Sequence, residues 1–183
     1  AEDCRAVPQA DLAGDVVAER VFLHVGTPKT GTTYLQTLMW LNRPILRRQG
    51  VLFPGDRRAD HLYASLVVRG ARRIERRHPE APSSWERLQR QIRAWKGTAV
   101  VSHEFFGAAS AEQARAVTQA LEPAEVHLVI TARDLVSLFP SMWQEHVKFK
   151  ATVPLTEFAI TEPDDPLAVW GWRTMDAAGV LKR

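Results

Sequence analysis

Cysteine is nearly absent from this sequence, because Cys4 is the only one among 183 residues. A single cysteine excludes an internal disulfide, and no neighbouring residue would activate the Cys4 thiol as a nucleophile. Long apolar runs are also missing, since no stretch approaches the roughly 18 residues of a membrane helix. No basic segment followed by an apolar stretch marks a signal peptide. We therefore expect a cytoplasmic protein without a membrane span.

Two patterns that would indicate particular ligands are absent as well. His, Cys and carboxylate residues do not occur at recognised metal-ligand spacings, so we expect no metal. Aromatic residues do not alternate with the densest basic run, residues 69–77, so we expect no nucleic acid partner. That run is open to two interpretations, a solvated helix face or a rim that attracts an anionic ligand. The net charge of +3 favours an anionic ligand without naming one.

The sequence does contain a repeated alternation of strands and helices. Short, nearly continuous apolar runs at 20–25, 98–102 and 126–131 are typical of parallel strands buried on both faces. Apolar spacing and cap signals predict helices that begin at Thr32 and over segments 84–95, 110–121, 134–148, 155–160 and 167–180. This alternation predicts an α/β protein in three layers, a parallel sheet flanked by helices.

The predicted domain covers residues 20–183, and residues 1–19 are predicted as an N-terminal tail because they show no clear period. Three evident strands are fewer than such a sheet usually contains. The sequence also ends at Arg183 without a stop signal. We therefore expect that a C-terminal part with at least one more strand is missing.

One serine and two prolines predict helix boundaries. Ser110 is a plausible N-cap for the helix over 110–121. Pro44 is expected to interrupt or end the first helix, because proline cannot donate a backbone hydrogen bond. Pro140 is expected to kink or restart the helix over 134–148 for the same reason.

The most informative segment is 28–33, Pro-Lys-Thr-Gly-Thr-Thr, between the first predicted strand and the first predicted helix. At a helix start the backbone N–H groups are unpaired and the helix dipole favours negative charge. Gly31 lets the backbone approach an anion, and Lys29 adds a mobile positive charge. Thr32 and Thr33 add hydroxyl donors. The segment predicts a phosphate-binding loop; the simpler alternative is a turn whose side chains only cap the helix.

A Walker A loop, G-x-x-x-x-G-K-[ST], differs from this segment in one respect. Gly26 and Gly31 have the required separation, but Thr32 occupies the lysine position and the lysine lies inside the loop, at Lys29. This difference argues against ATP or GTP, whose β- and γ-phosphates that lysine contacts. Two alternatives nevertheless stay open: a P-loop small-molecule kinase that uses ATP and magnesium, and a non-catalytic nucleotide-binding module.

Residues 25–33 resemble the 5′-phosphosulfate loop of the sulfotransferases that use 3′-phosphoadenosine 5′-phosphosulfate, PAPS, as donor. The loop of that family reads roughly P-K-[ST]-G-T-[TS]. The resemblance implies a P-loop NTPase-like sulfotransferase fold, with Lys29 as the catalytic lysine on the oxygen that bridges sulfur and phosphorus. It also implies that neighbouring residues bind the donor, namely Pro28, Thr30, Gly31, Thr32 and Thr33.

The same family binds the 3′-phosphate with an arginine at a strand end and a serine eight residues later. Here Arg133 follows the third predicted strand, and Ser141 lies eight residues further on. Ligands of open α/β sheets bind beyond the carboxyl ends of strands, and a guanidinium suits a phosphate. The simpler alternatives are an ion pair of Arg133 with Asp134 and a bond of Ser141 to its own helix.

A larger part of the chain resembles a group of actinobacterial sulfotransferase-like proteins. The segments that carry this resemblance are 22–42, 50–55, 101–104, 132–148 and 165–183. It says little about the acceptor, which we expect to be a small molecule or a carbohydrate. The sequence does not indicate an oligomeric state.

Transfer of a sulfuryl group to a hydroxyl or amine requires a base that removes the proton of the acceptor. The family places a catalytic His or Glu here, depending on the branch, so His103 and Glu104 are the main candidates. Glu104 is favoured slightly, because Ser-x-Glu after this strand fits the resemblance. His61, beside Asp60 before a predicted helix, is the other candidate. In the simpler alternative these residues cap helices or lie at the surface.

Overall fold

The computed structural model describes residues 17–71, 74–76, 78–160 and 169–183. Within them one four-stranded sheet has the order β2-β3-β1-β4. Its strands are β1 (Arg20–His24), β2 (Val51–Leu52), β3 (Thr98–Ser102) and β4 (Glu125–Val129). All three strand pairs in this part of the chain are parallel. The predicted α/β class with a parallel sheet and flanking helices is therefore confirmed.

The helices lie between and after these strands. In the described residues the α-helices are α1 (Thr32–Leu41), α2 (Arg43–Arg48), α3 (Asp60–Val68), α4 (Ser84–Arg93), α5 (Ala111–Ala120), α6 (Leu135–Lys148), α7 (Trp172–Met175) and α8 (Ala177–Lys182). Short 3₁₀ helices cover Ile74–Arg76, Ala81–Ser83, Glu104–Ala108 and Leu155–Glu157. We find no helix among them that is both long and apolar enough to cross a membrane.

The central strands explain why the sequence shows continuous apolar runs. β1 pairs with β3 on one side and β4 on the other, in a register that sets His24 opposite both Ser102 and Val129. The carboxyl ends of the three strands are therefore level. Val21 and Val101 are fully buried in the main core, together with apolar residues of α3, α4, α5 and α8. Each such side chain contributes about 1.5–3 kcal/mol relative to exposure.

A second core cluster fixes α6. Leu138 and Met142, on one face of the helix, are buried against Phe158, Ile160 and Met175. The spacing of four residues between Leu138 and Met142 puts both on the same side of the helix. Polar residues of α6 beside this buried stripe face the carboxyl ends of the strands.

The structure confirms some predicted boundaries and corrects others. Ser110 caps α5 in a capping box with Gln113, as expected for its position. The first predicted helix divides into α1 and α2 at Asn42, just before Pro44. Pro140 lies inside α6 without dividing it, so the predicted restart there is wrong.

Other corrections concern strands and the last helices. The sequence prediction missed β2, because a strand of two residues is too short to show a period. The predicted helix over 155–160 is only a 3₁₀ turn at Leu155–Glu157, after which Phe158 and Ile160 are buried. The predicted helix over 167–180 is divided into α7 and α8 from Trp172 onward.

Some predictions lie outside the described residues. These are most of the predicted tail, residues 1–16, the segment 161–168, and Arg72, Arg73 and Arg77 of the basic run. At the start of the described chain, Ala18 is buried in the main core.

Candidate functional site

A cleft of about 580 Å³ lies at the carboxyl ends of the strands. Its walls come mainly from the loop between β1 and α1, the segment after β3, and polar residues of α6. It brings together most of the side chains predicted from the sequence: Lys29, Gly31, Thr32, Thr33, His103, Glu104, Arg133 and Ser141. Three predicted residues, Pro28, Thr30 and His61, are not on its wall.

The loop between β1 and α1 is shaped for an anion at the start of α1. Gly31 is the N-cap, with a φ of +87° that favours glycine. In the described structure no side chain caps this helix, and its first turn holds no acidic residue. The first backbone N–H groups of α1 therefore lack intrahelical acceptors, and the helix dipole adds positive potential. Together these features suit a phosphate.

A chain of hydrogen bonds supports this loop from below. Thr30 Oγ1 donates to Thr27 O at 2.6 Å, and Thr131 Oγ1 lies 2.7 Å from Thr30 Oγ1. His24 Nε2 lies 3.1 Å from Thr131 Oγ1, and His24 Nδ1 lies 2.8 Å from Ser102 Oγ. Because a hydroxyl has one proton, Thr131 donates to Thr30 and must accept from His24 Nε2. His24 Nδ1 then accepts from Ser102, and burial lowers the pKa of this histidine.

Glu104 lies directly against the loop because residue 26 is glycine. A Cβ on Gly26 would come within 2.7 Å of the Glu104 Cβ, closer than carbon atoms can pack. Gln36, on α1, donates to Glu104 Oε2 at 3.0 Å. The Glu104 side chain is 13% exposed, so it is shielded from bulk water but accessible from the cleft.

His103 faces the same cleft, but neither of its ring nitrogens is free to accept a proton from an acceptor. The backbone N–H of Phe105 donates to His103 Nδ1 at 3.2 Å, which places the proton of the neutral ring on Nε2. Burial lowers the pKa of His103 and favours this neutral form. The ring therefore presents a hydrogen-bond donor, whereas Glu104 presents an acceptor.

His61 is buried beneath the cleft and bonded at both ring nitrogens. The Ser102 N–H donates to His61 Nδ1 at 3.0 Å, and His61 Nε2 donates to Pro54 O at 2.7 Å. Burial lowers its pKa to about 4. This bonding argues against the prediction that His61 is the base. It indicates instead that His61 stabilises the structure at the end of β3.

Asp60, the first residue of α3, binds the loop that precedes the helix. Its Oδ2 accepts from the backbone N–H groups of Asp56 and Arg57 at 2.8 and 3.2 Å. Arg87 pairs with the same oxygen at 3.1 Å. Asp60 therefore stabilises the preceding loop and does not cap α3, because in the described structure its side chain accepts no hydrogen bond from the N–H groups of that helix.

Arg133 and Ser141 form the second predicted phosphate contact. Arg133 Nη1 donates to Ser141 Oγ at 3.2 Å and to Lys29 O at 3.4 Å. Asp134 accepts from the Ser137 N–H at 2.8 Å as the N-cap of α6. The guanidinium is thus directed to the serine and the loop, which places both predicted phosphate contacts in one cleft.

The sequence prediction missed two charged residues on the cleft side of α6. Lys29 Nζ donates to Glu145 Oε2 at 2.8 Å, and Lys148 Nζ donates to the same oxygen at 3.0 Å. Ser141, Glu145 and Lys148 stand at positions i, i+4 and i+7, which share one helix face. Once Ser141 had been chosen, this spacing could have predicted that Glu145 and Lys148 also lie on the cleft side of α6.

The described residues include no group of three or more His, Cys, Asp or Glu side chains placed to hold a metal ion. In comparisons with known proteins, no family model, no curated protein and no solved structure matches the chain.

Proposed function

We propose that the protein is a sulfotransferase that moves a sulfuryl group from PAPS to a hydroxyl or amine of an acceptor. The observation that carries the proposal is the bond of Arg133 to Ser141 and to the carbonyl of Lys29. Arg133 and the loop that carries Lys29 are more than 100 residues apart along the chain, yet they form one site with two positions for a phosphate group. A nucleotide with a 5′- and a 3′-phosphate fits such a pair.

The fold that we propose is the P-loop NTPase-like sulfotransferase fold. The strand order β2-β3-β1-β4 and the loop between β1 and α1 support it. In a sheet of this kind ligands bind beyond the carboxyl ends of the strands, which is where the cleft lies. A cytoplasmic location and a small-molecule or carbohydrate acceptor stay predictions from the sequence.

The residues of the cleft fit the charged ends of the donor. The uncapped start of α1 would hold the 5′-phosphate through backbone N–H groups and the hydroxyls of Thr32 and Thr33. Arg133 and Ser141 would hold the 3′-phosphate through a guanidinium and a hydroxyl. The bound donor supplies the activated sulfuryl group and a phosphate leaving group.

The reaction requires that the negative charge developing on the leaving phosphate oxygen is stabilised and that a proton is removed from the acceptor. As the bond from sulfur to the leaving phosphate oxygen breaks, negative charge grows on that oxygen, and the Lys29 ammonium stabilises it. As sulfur bonds to the acceptor, Glu104 takes the proton of the acceptor hydroxyl or amine. His103 donates a hydrogen bond from Nε2 that orients the acceptor or the sulfuryl oxygens.

Calorimetry with adenosine 3′,5′-bisphosphate, AMP and ATP-magnesium tests this proposal. We expect the bisphosphate to bind at least about tenfold more tightly than AMP, because a charge-assisted contact contributes roughly 1.5–3 kcal/mol. Tighter binding of ATP-magnesium would favour the kinase alternative and contradict the proposal. Binding of the bisphosphate without transfer of labelled sulfuryl to any acceptor in a panel of phenols, amines and sugars would favour the non-catalytic module.

A further inference from the structure

Lys29 is held by a carboxylate that the proposed reaction does not use. Its Nζ lies 2.8 Å from Glu145 Oε2, and the two side chains are 23% and 17% exposed. Lys148 reaches the same oxygen at 3.0 Å from the solvent side and is 66% exposed. One carboxylate oxygen therefore accepts from two ammonium groups, and both lysines lie on the wall of the cleft.

A carboxylate is an unexpected neighbour for a phosphate site. Its negative charge repels a dianionic ligand, and its bond to Lys29 occupies the ammonium that would serve the leaving oxygen. The hydrogen bond from Lys29, and then that from Lys148, lowers the pKa of Glu145, so the carboxylate is charged at neutral pH. The two cations offset that charge.

The backbone on each side of the pair indicates which partner moves. Glu145 stands on α6, which the buried residues Leu138 and Met142, on the adjoining part of the helix surface, anchor to the second core cluster. Lys29 carries its long side chain on the loop, three residues before α1. Rotation of the Lys29 side chain is therefore the low-cost movement, whereas Glu145 and Lys148 stay together on the helix.

We propose that Glu145 is a positioning residue that holds Lys29 in an exchangeable ion pair, and that Lys148 neutralises Glu145 when Lys29 turns to the donor. The inference rests on the proposed function, because it concerns the same lysine. Donor binding then breaks one ion pair while the second, between Glu145 and Lys148, is kept. After transfer, Glu145 competes with the nucleotide product for Lys29 and so promotes its release.

Charge arithmetic shows why the second lysine is needed. Lys29, Glu145 and Lys148 together carry one net positive charge in the observed arrangement. When Lys29 turns away, Glu145 and Lys148 form a neutral pair and Lys29 brings its full charge to the donor. Without Lys148, the departure of Lys29 would leave a bare carboxylate within a partly buried anion site, which is unfavourable.

A double-mutant cycle on bisphosphate binding tests this arrangement. We expect E145Q to bind adenosine 3′,5′-bisphosphate about threefold to tenfold more tightly, and K148A to bind it more weakly by a similar factor. In the E145Q background most of the K148A effect should disappear, because no carboxylate is left to neutralise. If Glu145 and Lys148 affected only the stability of the fold, the effects of the two substitutions on bisphosphate affinity would be additive. The matched controls, E112Q and K96A, change exposed residues that do not lie on the wall of this cleft.

A second measurement needs no nucleotide. Lys29 labelling by an amine-acylating reagent, read by mass spectrometry on folded protein, should rise in E145Q, while E145D should lie between E145Q and wild type. Unchanged labelling in E145Q would overturn the inference, and so would equal bisphosphate affinity of wild type and E145Q. If wild type binds no bisphosphate, the proposed function fails, and the gating of the donor by Glu145 fails with it. In that case Lys29 labelling would still rise in E145Q, because the ion pair exists without nucleotide, while wild type would bind no bisphosphate.

Discussion

The two proposed phosphate contacts of the cleft are built in different ways. The loop at residues 26–33 is supported by the buried chain through His24, Thr131 and Thr30, and Glu104 packs against Gly26. Arg133, by contrast, is exposed and is directed by two longer hydrogen bonds. The loop is thus fixed before a ligand arrives, whereas the arginine can adjust.

This difference is what the proposed chemistry requires. The 5′ side carries the bond that breaks, and charge stabilisation is most effective when the backbone of the site is already in place, so that only the Lys29 side chain turns to the donor. The 3′-phosphate only holds the nucleotide, and an exposed guanidinium suits that purpose. Changes to the loop should therefore affect rate and stability, and changes to the arginine should affect affinity.

Removal of the loop lysine should have the largest effect. We expect K29A to lower the transfer rate by about 100- to 1000-fold, because a positive charge directed at the leaving oxygen contributes roughly 3–4 kcal/mol. Bisphosphate affinity should change far less, because Arg133 and the start of α1 remain. Single-turnover transfer of labelled sulfuryl, with calorimetry in parallel, separates the two. An unaltered rate would remove Lys29 from the mechanism.

Crowding the base of the loop should cost stability. We expect G26A to lower the free energy of unfolding by about 3 kcal/mol, since its Cβ would contact Glu104 and its φ is +101°. The matched control is G50A, which has a φ of +78° but nothing within 4 Å of its Cβ. It should cost only about 1 kcal/mol. Urea unfolding of both variants measures the difference, and equal losses would show that the contact with Glu104 is not tight.

Acid should weaken the support of the cleft through His61. Its folded pKa, about 4, lies below the ordinary value of 6.5. The unfolded chain therefore binds the proton first, so stability is present above pH 6.5 and is lost as the pH falls toward 4. The loss from this residue is up to about 3 kcal/mol. Unfolding free energy measured from pH 7 to pH 4 should fall less in H61Q than in wild type; identical slopes would contradict the assignment.

Removal of the arginine should have the smallest and most selective effect. We expect R133A to weaken the bisphosphate by about 2 kcal/mol, roughly 30-fold, because one charge-assisted contact is lost. AMP, which lacks the 3′-phosphate, should lose little. R57A is a suitable control, since Arg57 is exposed and does not lie on the wall of the cleft. Equal losses for the bisphosphate and AMP would refute a 3′-phosphate contact at Arg133.

Local sequence patterns were enough to predict several strands of the sheet and the loop of the cleft. β1 and β3 are the central, largely buried strands of a parallel sheet, so their residues form continuous apolar runs. β4 was predicted as a buried strand too, but it lies at the edge of the sheet, and Leu128 is 49% exposed. The loop was predictable because glycine, lysine and threonine carry their chemistry in the sequence itself. The partner of Lys29 was not, since Glu145 lies 116 residues away and only the fold brings the two together.

Burial distinguishes two of the candidate bases. His61 and His103 look alike in the sequence, yet one lies beneath the cleft with both nitrogens bonded and the other lines it. Nothing local distinguishes them. β2 was missed for a different reason, because its two residues contribute only a short edge to a sheet that β1 and β3 already define.

The hydrogen-bond chain through His24 also has a consequence for how the protein folds. It joins side chains from the ends of β1 and β3 and from the segment after β4, which are 78 and 107 residues apart along the chain. Contacts between such distant residues form late, after the loops between them have closed. We therefore expect the proposed nucleotide site to be assembled in the last steps of folding. Nucleotide binding during refolding would then report arrival at the native state.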